Sequence, residues 1–490
     1  MEENLKNKTL SGIFWAFAQK ALNQAIAFVV TVILTRKLCS DDYGVVAIAG
    51  MFTILIGMFM NGGMGIALIQ KKDTDELDYN TVFYMGLGMS FILYTVIFFI
   101  SPYFASFYGQ PVLCPIIRVI ALTMPLGALG AVQGAIVSRQ MDFRKFFYAS
   151  LSGQVMSAVV GISMAYQGYG PWALVGQQIV SGITGTVVVF FMVRWYPRLM
   201  FSFQRFKGLF SFSWKKLGGD FVGTLCYQLR GYIIGYKYST ADLGYYNRGE
   251  GLPQMIRNNL NGPISGVLFP ALSKLQGEPD GVKRGIRRSI RTSSFLIFPL
   301  LFGLAAVAPQ LVPILYSPKW NPAIPFMQVI CITCAMDIIN AANLQALLAI
   351  GRSDIVLKIE LYKKPVMLLI LAITTYISPL AIALGMMFYS FYVLYVNTRP
   401  NKELLHYSLR DQISDLLPNV LLSLSMAVVV YLMGLSIPNI YMALPAQVIL
   451  GATIYIGMSH FFHNENYEYV KYILMELYYK KIGNRRREIC

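Results

Sequence analysis

"GYYNRGEGLPQMIRNNLNGP" occupies residues 244–263 and decides how this chain folds. Twenty residues is the length of one bilayer crossing. Yet the stretch holds two arginines, one glutamate, four asparagines and two prolines. Its surroundings are oily: the 490 residues are 56% hydrophobic and only 13% charged, with a mean hydropathy of +0.53. Soluble domains run at about 45–50% apolar and about 25% charged. The whole chain falls outside that range, so it reads as a polytopic membrane protein. The question is whether residues 244–263 lie outside the bilayer or cross it.

Apolar runs of about 20 residues predict fourteen spans near 12–35, 44–69, 80–104, 112–137, 146–166, 171–195, 211–236, 245–272, 292–316, 323–349, 355–377, 379–397, 415–435 and 441–462. All are expected to be helical, because a spanning backbone must satisfy its own polar groups in lipid. Charge tests the count. With the N-terminus inside, the inward connections and their edges hold 28 of the 41 Lys and Arg, while the outward ones hold only Arg36, Lys37, Lys237 and Lys319. Omitting one span flips every later loop and destroys this sorting. The polar seventh and eighth spans therefore both cross, and both termini are expected in the cytoplasm. "MEENLKNKTL" (1–10) lacks the layout of a cleavable signal, so the first span is expected to be retained.

The net charge of +17 fits basic cytoplasmic loops facing anionic lipid better than it fits nucleic acid. Cys331 and Cys334 form a CxxC inside an apolar run and read as small packing residues. "KKDTDELDY" (71–79) clusters acids in a short loop, and His460 and His463 close the last span; solvation and interface placement account for both. There is no P-loop, HExxH or nucleophile elbow, so no cofactor or metal is expected and the chain reads as a transporter, not an enzyme. A membrane-embedded glycan polymerase or transferase would need a large outer loop, and the outer loops are short. The segment 463–490 reads as an interfacial amphipathic helix ending in a basic tail.

An internal repeat is visible. "ILTRKLCSDDYG" (33–44) aligns without gaps with "IIGYKYSTADLG" (233–244) at an offset of 200, and "SPYFASFYG" (101–109) echoes "APQLVPILYS" (308–317). These echoes predict two six-helix lobes in the same orientation, 1–205 and 206–410, then two additional helices in 411–462 and the tail 463–490. Parallel repeats are one standard transporter architecture, with the substrate site expected between the halves.

The polar spans carry the candidate site. On span seven, Asp220, Thr224, Tyr227, Gln228 and Gly231 recur at helical spacing, with Arg230 beside them. On span eight, Glu250, Gln254, Arg257, Asn258 and Asn261 repeat that spacing. Arg248 is off the stripe unless Pro253 bends the helix. Span one adds Gln19, Lys20, Asn23 and Gln24, and the offset of 200 sets Lys20 against Asp220. Charges at membrane depth normally face a bundle interior or a wet cavity. Lys20, Arg230, Arg248 and Arg257 outnumber Asp220 and Glu250, which points to an anionic cargo as much as to salt bridges such as Asp220–Arg230 or Glu250–Arg257. Lys215 and Lys216 are expected at the inner mouth, with Glu360, Lys363 and Lys364 near the inner end of span eleven, where snorkelling to the interface also explains them. Asp337 and Arg118 read as lone charges.

"ADLGYYNRGEGLP" (241–253) followed by "VLFPALSKLQ" (267–276), together with "TRKLCSDDYG" (35–44) and "ALLAIGRSDIVLKIELYKKP" (346–365), resembles the polysaccharide-exporter branch of the multidrug/oligosaccharidyl-lipid/polysaccharide exporter superfamily. The resemblance covers nearly the whole chain, and its motif falls on Tyr246, Asn247, Arg248, Leu252 and Pro253. It implies twelve core helices in two lobes, extra C-terminal helices, alternating access in a bacterial plasma membrane and a polyprenyl-diphosphate-linked oligosaccharide as cargo. Polysaccharide polymerase or assembly proteins would be partners, and a proton or sodium ion the driving ion. Some members carry an acid at the position of Arg230, so the resemblance implies a more cationic cavity here. A cation-coupled drug or metabolite exporter on the same fold is the alternative.

Overall fold

A computed structural model describes residues 2–61, 68–69, 71, 73–275, 277–472 and 475; the side chains of 2–10, 13, 55–56, 58–61, 208–220, 263–267 and 269 lie outside that description. The described residues form helices and no strand. In chain order these are α1 (Glu2–Lys37), α2 (Ser40–Asn61), α3 (Glu76–Phe107), α4 (Leu113–Ala121), α5 (Thr123–Gln140), α6 (Phe143–Tyr166), α7 (Trp172–Val193), α8 (Phe203–Lys237), α9 (Thr240–Ser273), α10 (Pro279–Tyr316), α11 (Ile324–Ala349), α12 (Ser353–Thr374), α13 (Pro379–Leu405), α14 (Leu409–Ser436) and α15 (Ile440–Phe461). A 3₁₀ turn, Pro318–Ala323, joins α10 to α11.

Every one of the fourteen expected spans coincides with a helix, the fourth being divided at Leu122 into α4 and α5. By length and composition, ten candidate spans among the described residues are apolar enough to cross a bilayer. The others fall on α2, α8, α9 and α12; of these α8, α9 and α12 carry the polar faces read from the sequence. The chain is an all-α, multi-pass membrane protein.

The helix starts follow the sequence. Asp75 caps α3 in a reciprocal box with Asp78, and Ser408 caps α14 in the same way with Asp411. Ser202 and Ser378 cap α8 and α13. The acidic loop 71–79 is thus consumed locally: buried Asp78 meets Lys71 at 2.5 Å and Arg205 at 3.0 Å, Arg205 also meets Asp75 at 2.6 Å, and Trp195 donates to Glu76 at 3.3 Å. The backbone N–H of Asp78 and then the Arg205 guanidinium hold the Asp75 carboxyl below the usual carboxylate range.

Two compact units are present, Met1–Gly244 and Tyr245–Cys490. Within the first, α6 packs along α1 and α7, α5 bridges α3 and α7, and α8 packs on α2 and α3. Within the second, α10 is the hub, packing on α11, α14 and α15, and α13 joins α11 to α12.

The repeat has a physical counterpart inside the first unit. A Cβ at Gly44 would land on the backbone carbonyl of Thr240, and a Cβ at Gly244 would land on that of Ser40. Residues 40 and 240, and 44 and 244, are the pairs related by the offset of 200, so the starts of α2 and α9 cross reciprocally. Their caps match too: Asp42 accepts from the Cys39 backbone at 2.9 Å, and Asp242 accepts from Ser239 Oγ at 2.7 Å. The second echo also falls on equivalent features, since 101–109 ends α3 and 308–317 ends α10.

Candidate substrate-binding site

Lys20 projects from a polar stripe of α1. Ala16, Gln19, Lys20, Asn23, Gln24 and Ala27 share one face at helical spacing and, with Gln154 of α6, line a cavity of 440 Å³. Among the described residues the lining offers one ammonium and four amides, and no carboxylate. Asn23 is anchored through its Nδ2 to Ser150 Oγ, while its buried Oδ1 makes no hydrogen bond. Lys20 is exposed and takes part in no ion pair among the described residues. Amides suit sugar hydroxyls, and an unneutralised ammonium suits a phosphate.

On α8, Arg230 is buried with its guanidinium 4.0 Å from the centre of the Tyr227 ring, a cation–π contact. Gln228 is half-buried. Gly231 and Gly235 let this end of α8 lie close to Met51 and Ile48 of α2. Asp220, Lys215 and Lys216 belong to the segment whose side chains lie outside the described residues.

The stretch 244–263 forms part of one unbroken helix, α9. Its first turns are a docking surface. Tyr245 meets the Trp320 ring edge-on at 5.8 Å, and buried Tyr246 meets Phe326 at 5.7 Å. Gly249 sits where a Cβ would strike Phe326 and the backbone of Ala323 and Met327. The motif thus seats α9 on the 3₁₀ turn and α11. Arg248, between these contacts in sequence, is half-buried.

Further along α9, Gln254 donates to Glu250, one turn away. Arg257 binds Asp337 of α11 at 2.7 Å and shares the Asn258 carbonyl through Nε and Nη2 at 3.3 Å. Asn258 is exposed and Asn261 half-buried. Asp337 is therefore not a lone charge, because Arg257 pairs with it. Arg118 is not alone either: it donates to the Phe98 carbonyl and, at 2.9 Å, to Ser101 Oγ of α3.

Lys363 departs most from expectation. It is 3% exposed and does not snorkel to an inner mouth. Its ammonium donates to Glu360 and, at 3.2 Å, to Asn397 of α13. Asn397 continues to Asn340 of α11 at 3.3 Å. Lys364 stays near Glu360 at 3.6 Å. One turn on, Asn343 and Gln412 exchange hydrogen bonds at 2.9 and 2.8 Å, and Asn401 donates to Asn343 at 2.7 Å. Four helices of the second unit are thus tied by buried amides.

The model for the family described as "Polysaccharide biosynthesis protein" matches residues 33–325, from the end of α1 to the start of α11, including all of α8 and α9. The chain belongs to that family. Among its relatives, the "Succinoglycan biosynthesis transport protein ExoT" of Rhizobium meliloti is 24% identical over 68% of each chain. The "Teichuronic acid biosynthesis protein TuaB" of Bacillus subtilis is 22% identical over 72% of this chain and 73% of its own. The "Lipopolysaccharide biosynthesis protein WzxC" of Escherichia coli is 23% identical over 74% of each. Among solved structures, the fold is similar to "Lipid II flippase MurJ, inward closed conformation", with a TM-score of 0.73 at 14% identity over 92% of this chain and 99% of that one. It is also similar to an inward-facing "multidrug resistance MATE family transporter of the MOP superfamily", with a TM-score of 0.60 at 12% identity over 79% and 96%. The chain is a multi-pass membrane protein of a polysaccharide-biosynthesis family.

For this family member, sequence reasoning missed the amide network and the partner of Arg257. The signal was faint: Asn340 and Asn343, and Asn397 and Asn401, recur one turn apart in oily spans, and Asp337 lies three residues before Asn340. One prediction follows from Lys363. Glu360→Gln leaves a buried ammonium with an amide alone, whereas Lys363→Met leaves a carboxylate that is 38% exposed. The first is expected to destabilise by about 3 kcal/mol and the second by less, because removing one partner of a buried pair strands the other charge. Thermal melting of the purified variants reads the order; a lower Tm for Lys363→Met than for Glu360→Gln contradicts it.

Proposed function

We propose that the protein is a flippase that moves a polyprenyl-diphosphate-linked oligosaccharide, a precursor of a surface polysaccharide, from the inner to the outer leaflet by alternating access. The observation that carries the reading is the α1 cavity, lined by four amides and one ammonium that pairs with no carboxylate among the described residues. An amphiphile with a diphosphate and sugars needs those groups, while its polyprenyl tail stays in lipid. The names of the relatives support a polysaccharide precursor as cargo, and the lipid II flippase supports a lipid-linked one. The sorting of Lys and Arg supports a bacterial plasma membrane location with both termini cytoplasmic. Arg230, Arg248 and Arg257 are further cationic groups for the head, and protons or sodium ions are the candidate driving ions. A lipophilic-cation exporter would call for an acidic cavity, which the α1 lining is not.

Arg257 gives the test that separates binding from scaffolding. If it receives the anionic head, Arg257→Ala lowers delivery of the surface polymer at equal protein level, and Asp337→Ala, which frees its charge, does not. If the pair is only structural, both variants lose delivery alike and the double variant recovers it. That second pattern removes Arg257 from the site.

A further inference from the structure

The second unit contains a cavity of 650 Å³ where α10, α14 and the end of α15 meet the short helix over 465–472. It has two ends of different chemistry. Arg291, Asn464, Glu465 and Asn466 form one, while Leu417, Leu421 and Phe462 wall the other. These three side chains are 48%, 56% and 62% exposed, so no described residue covers the apolar wall. The α14 wall runs from Leu417 to Ser425, about 12 Å at 1.5 Å per residue. That is close to one leaflet of a bilayer core about 30 Å thick.

The polar end pairs Arg291 with Glu465, lies beside a basic stretch of α10 and is incompletely satisfied. Arg291 binds Glu465 at 2.9 Å and lies 3.9 Å from Asp415. Asp415 is already taken by Nε and Nη2 of Arg287, each at 2.7 Å, and by the Tyr407 hydroxyl at 3.0 Å. The buried Nε of Arg291 has no hydrogen-bond acceptor. Lys283, Arg284, Arg287 and Arg288 precede it on α10, and Arg288 lies 3.2 Å over the Tyr469 ring, so the 465–472 helix rests on this basic stripe. α10 and α14 begin here and α15 ends here, so every lining element meets at one end of the bundle. That is the end the charge distribution assigns to the cytoplasm, whose leaflet holds the anionic lipids. Basic pockets between helices at that level suit a phosphodiester.

We propose that this cavity binds one anionic phospholipid of the inner leaflet, with its phosphate on Arg291 and an acyl chain along Leu417, Leu421 and Phe462. The assignment rests on the topology of the functional reading and not on its cargo. The 465–472 helix and its contacts to α10 would then be stabilised by a resident lipid.

The experiment uses the full chain, purified and delipidated, in a neutral detergent. Phosphatidylglycerol, phosphatidylcholine and glycerol phosphate are added separately, and Tm and retained lipid, by native mass spectrometry, are recorded. The expected result is one retained phosphatidylglycerol and a saturable rise in Tm, with neither effect from the other two probes. Arg291→Gln weakens phosphatidylglycerol binding by about tenfold or more, as expected for loss of a charge-assisted contact. Leu421→Trp, which fills the apolar end and leaves Arg291 in place, also removes the bound lipid. Equal effects of phosphatidylcholine, an equal shift with glycerol phosphate, or retention of the lipid in both variants would overturn the proposal. Displacement of the lipid by a polyprenyl diphosphate would also overturn it, by giving the site to the cargo. Binding is read without transport, so a failure here leaves the flippase reading standing.

Discussion

Lys20→Gln is expected to reduce delivery of the surface polymer by about 10- to 100-fold at unchanged protein level. The magnitude follows from the worth of a hydrogen bond to a charged group, about 1.5–3 kcal/mol, at 1.4 kcal/mol per factor of ten. Folding should be untouched, because Lys20 is exposed and pairs with no carboxylate among the described residues. Lys20→Arg keeps the charge and should retain a large part of the activity, with its fork replacing the point contact. Gln24→Ala, on the same face, removes one amide and is expected to cost less than Lys20→Gln. Delivery is measured as polymer on the cell surface in a strain that lacks the native transporter. Wild-type delivery by Lys20→Gln would take Lys20 out of the cargo's path.

Gly44→Val and Gly244→Val are expected to abolish monodisperse protein on size exclusion. At both positions the added carbon meets a backbone carbonyl, of Thr240 and of Ser40 respectively, so no side chain can swing aside. Close helix crossings in membranes depend on such small residues. Overpacking usually costs about 1–3 kcal/mol, and a backbone obstacle on each side of a reciprocal crossing places these variants at or above ~3 kcal/mol. Gly50→Ala is the matched control, since a Cβ there meets nothing within 4 Å. It should fold normally and gain slightly from helix propensity. Normal melting of Gly44→Val would disprove the packed crossing between the repeats.

How much of this was legible depends on the range of the interaction. The fourteen helices were readable because most are local runs of apolar residues, and loop charges checked the count. The polar stretch 244–263 is no such run, and only the charge check made it readable as a crossing helix. The repeat gave Gly44 and Gly244 before any contact was known, but not that they touch each other's partner segments. The partner of Arg257 was not readable: Asp337 lies 80 residues away, and Glu250 on the same helix offered a plausible local alternative. Lys363 misled because a Glu360–Lys363 spacing is the same whether the pair faces lipid headgroups or a buried Asn397. The seat of Tyr245, Tyr246 and Gly249 against Trp320 and Phe326 is tertiary, which helical periodicity does not encode. The α1 stripe was the most legible part of the site, because all but one of its lining residues come from a single helix.

The most direct test is leaflet transfer in proteoliposomes that hold the purified protein and a fluorescent polyprenyl-diphosphate oligosaccharide, read by quenching from outside with and without proton or sodium gradients. The account predicts transfer faster than in protein-free vesicles, strongly slowed by Lys20→Gln. Wild-type vesicles that move the lipid no faster than protein-free ones under every gradient would contradict it.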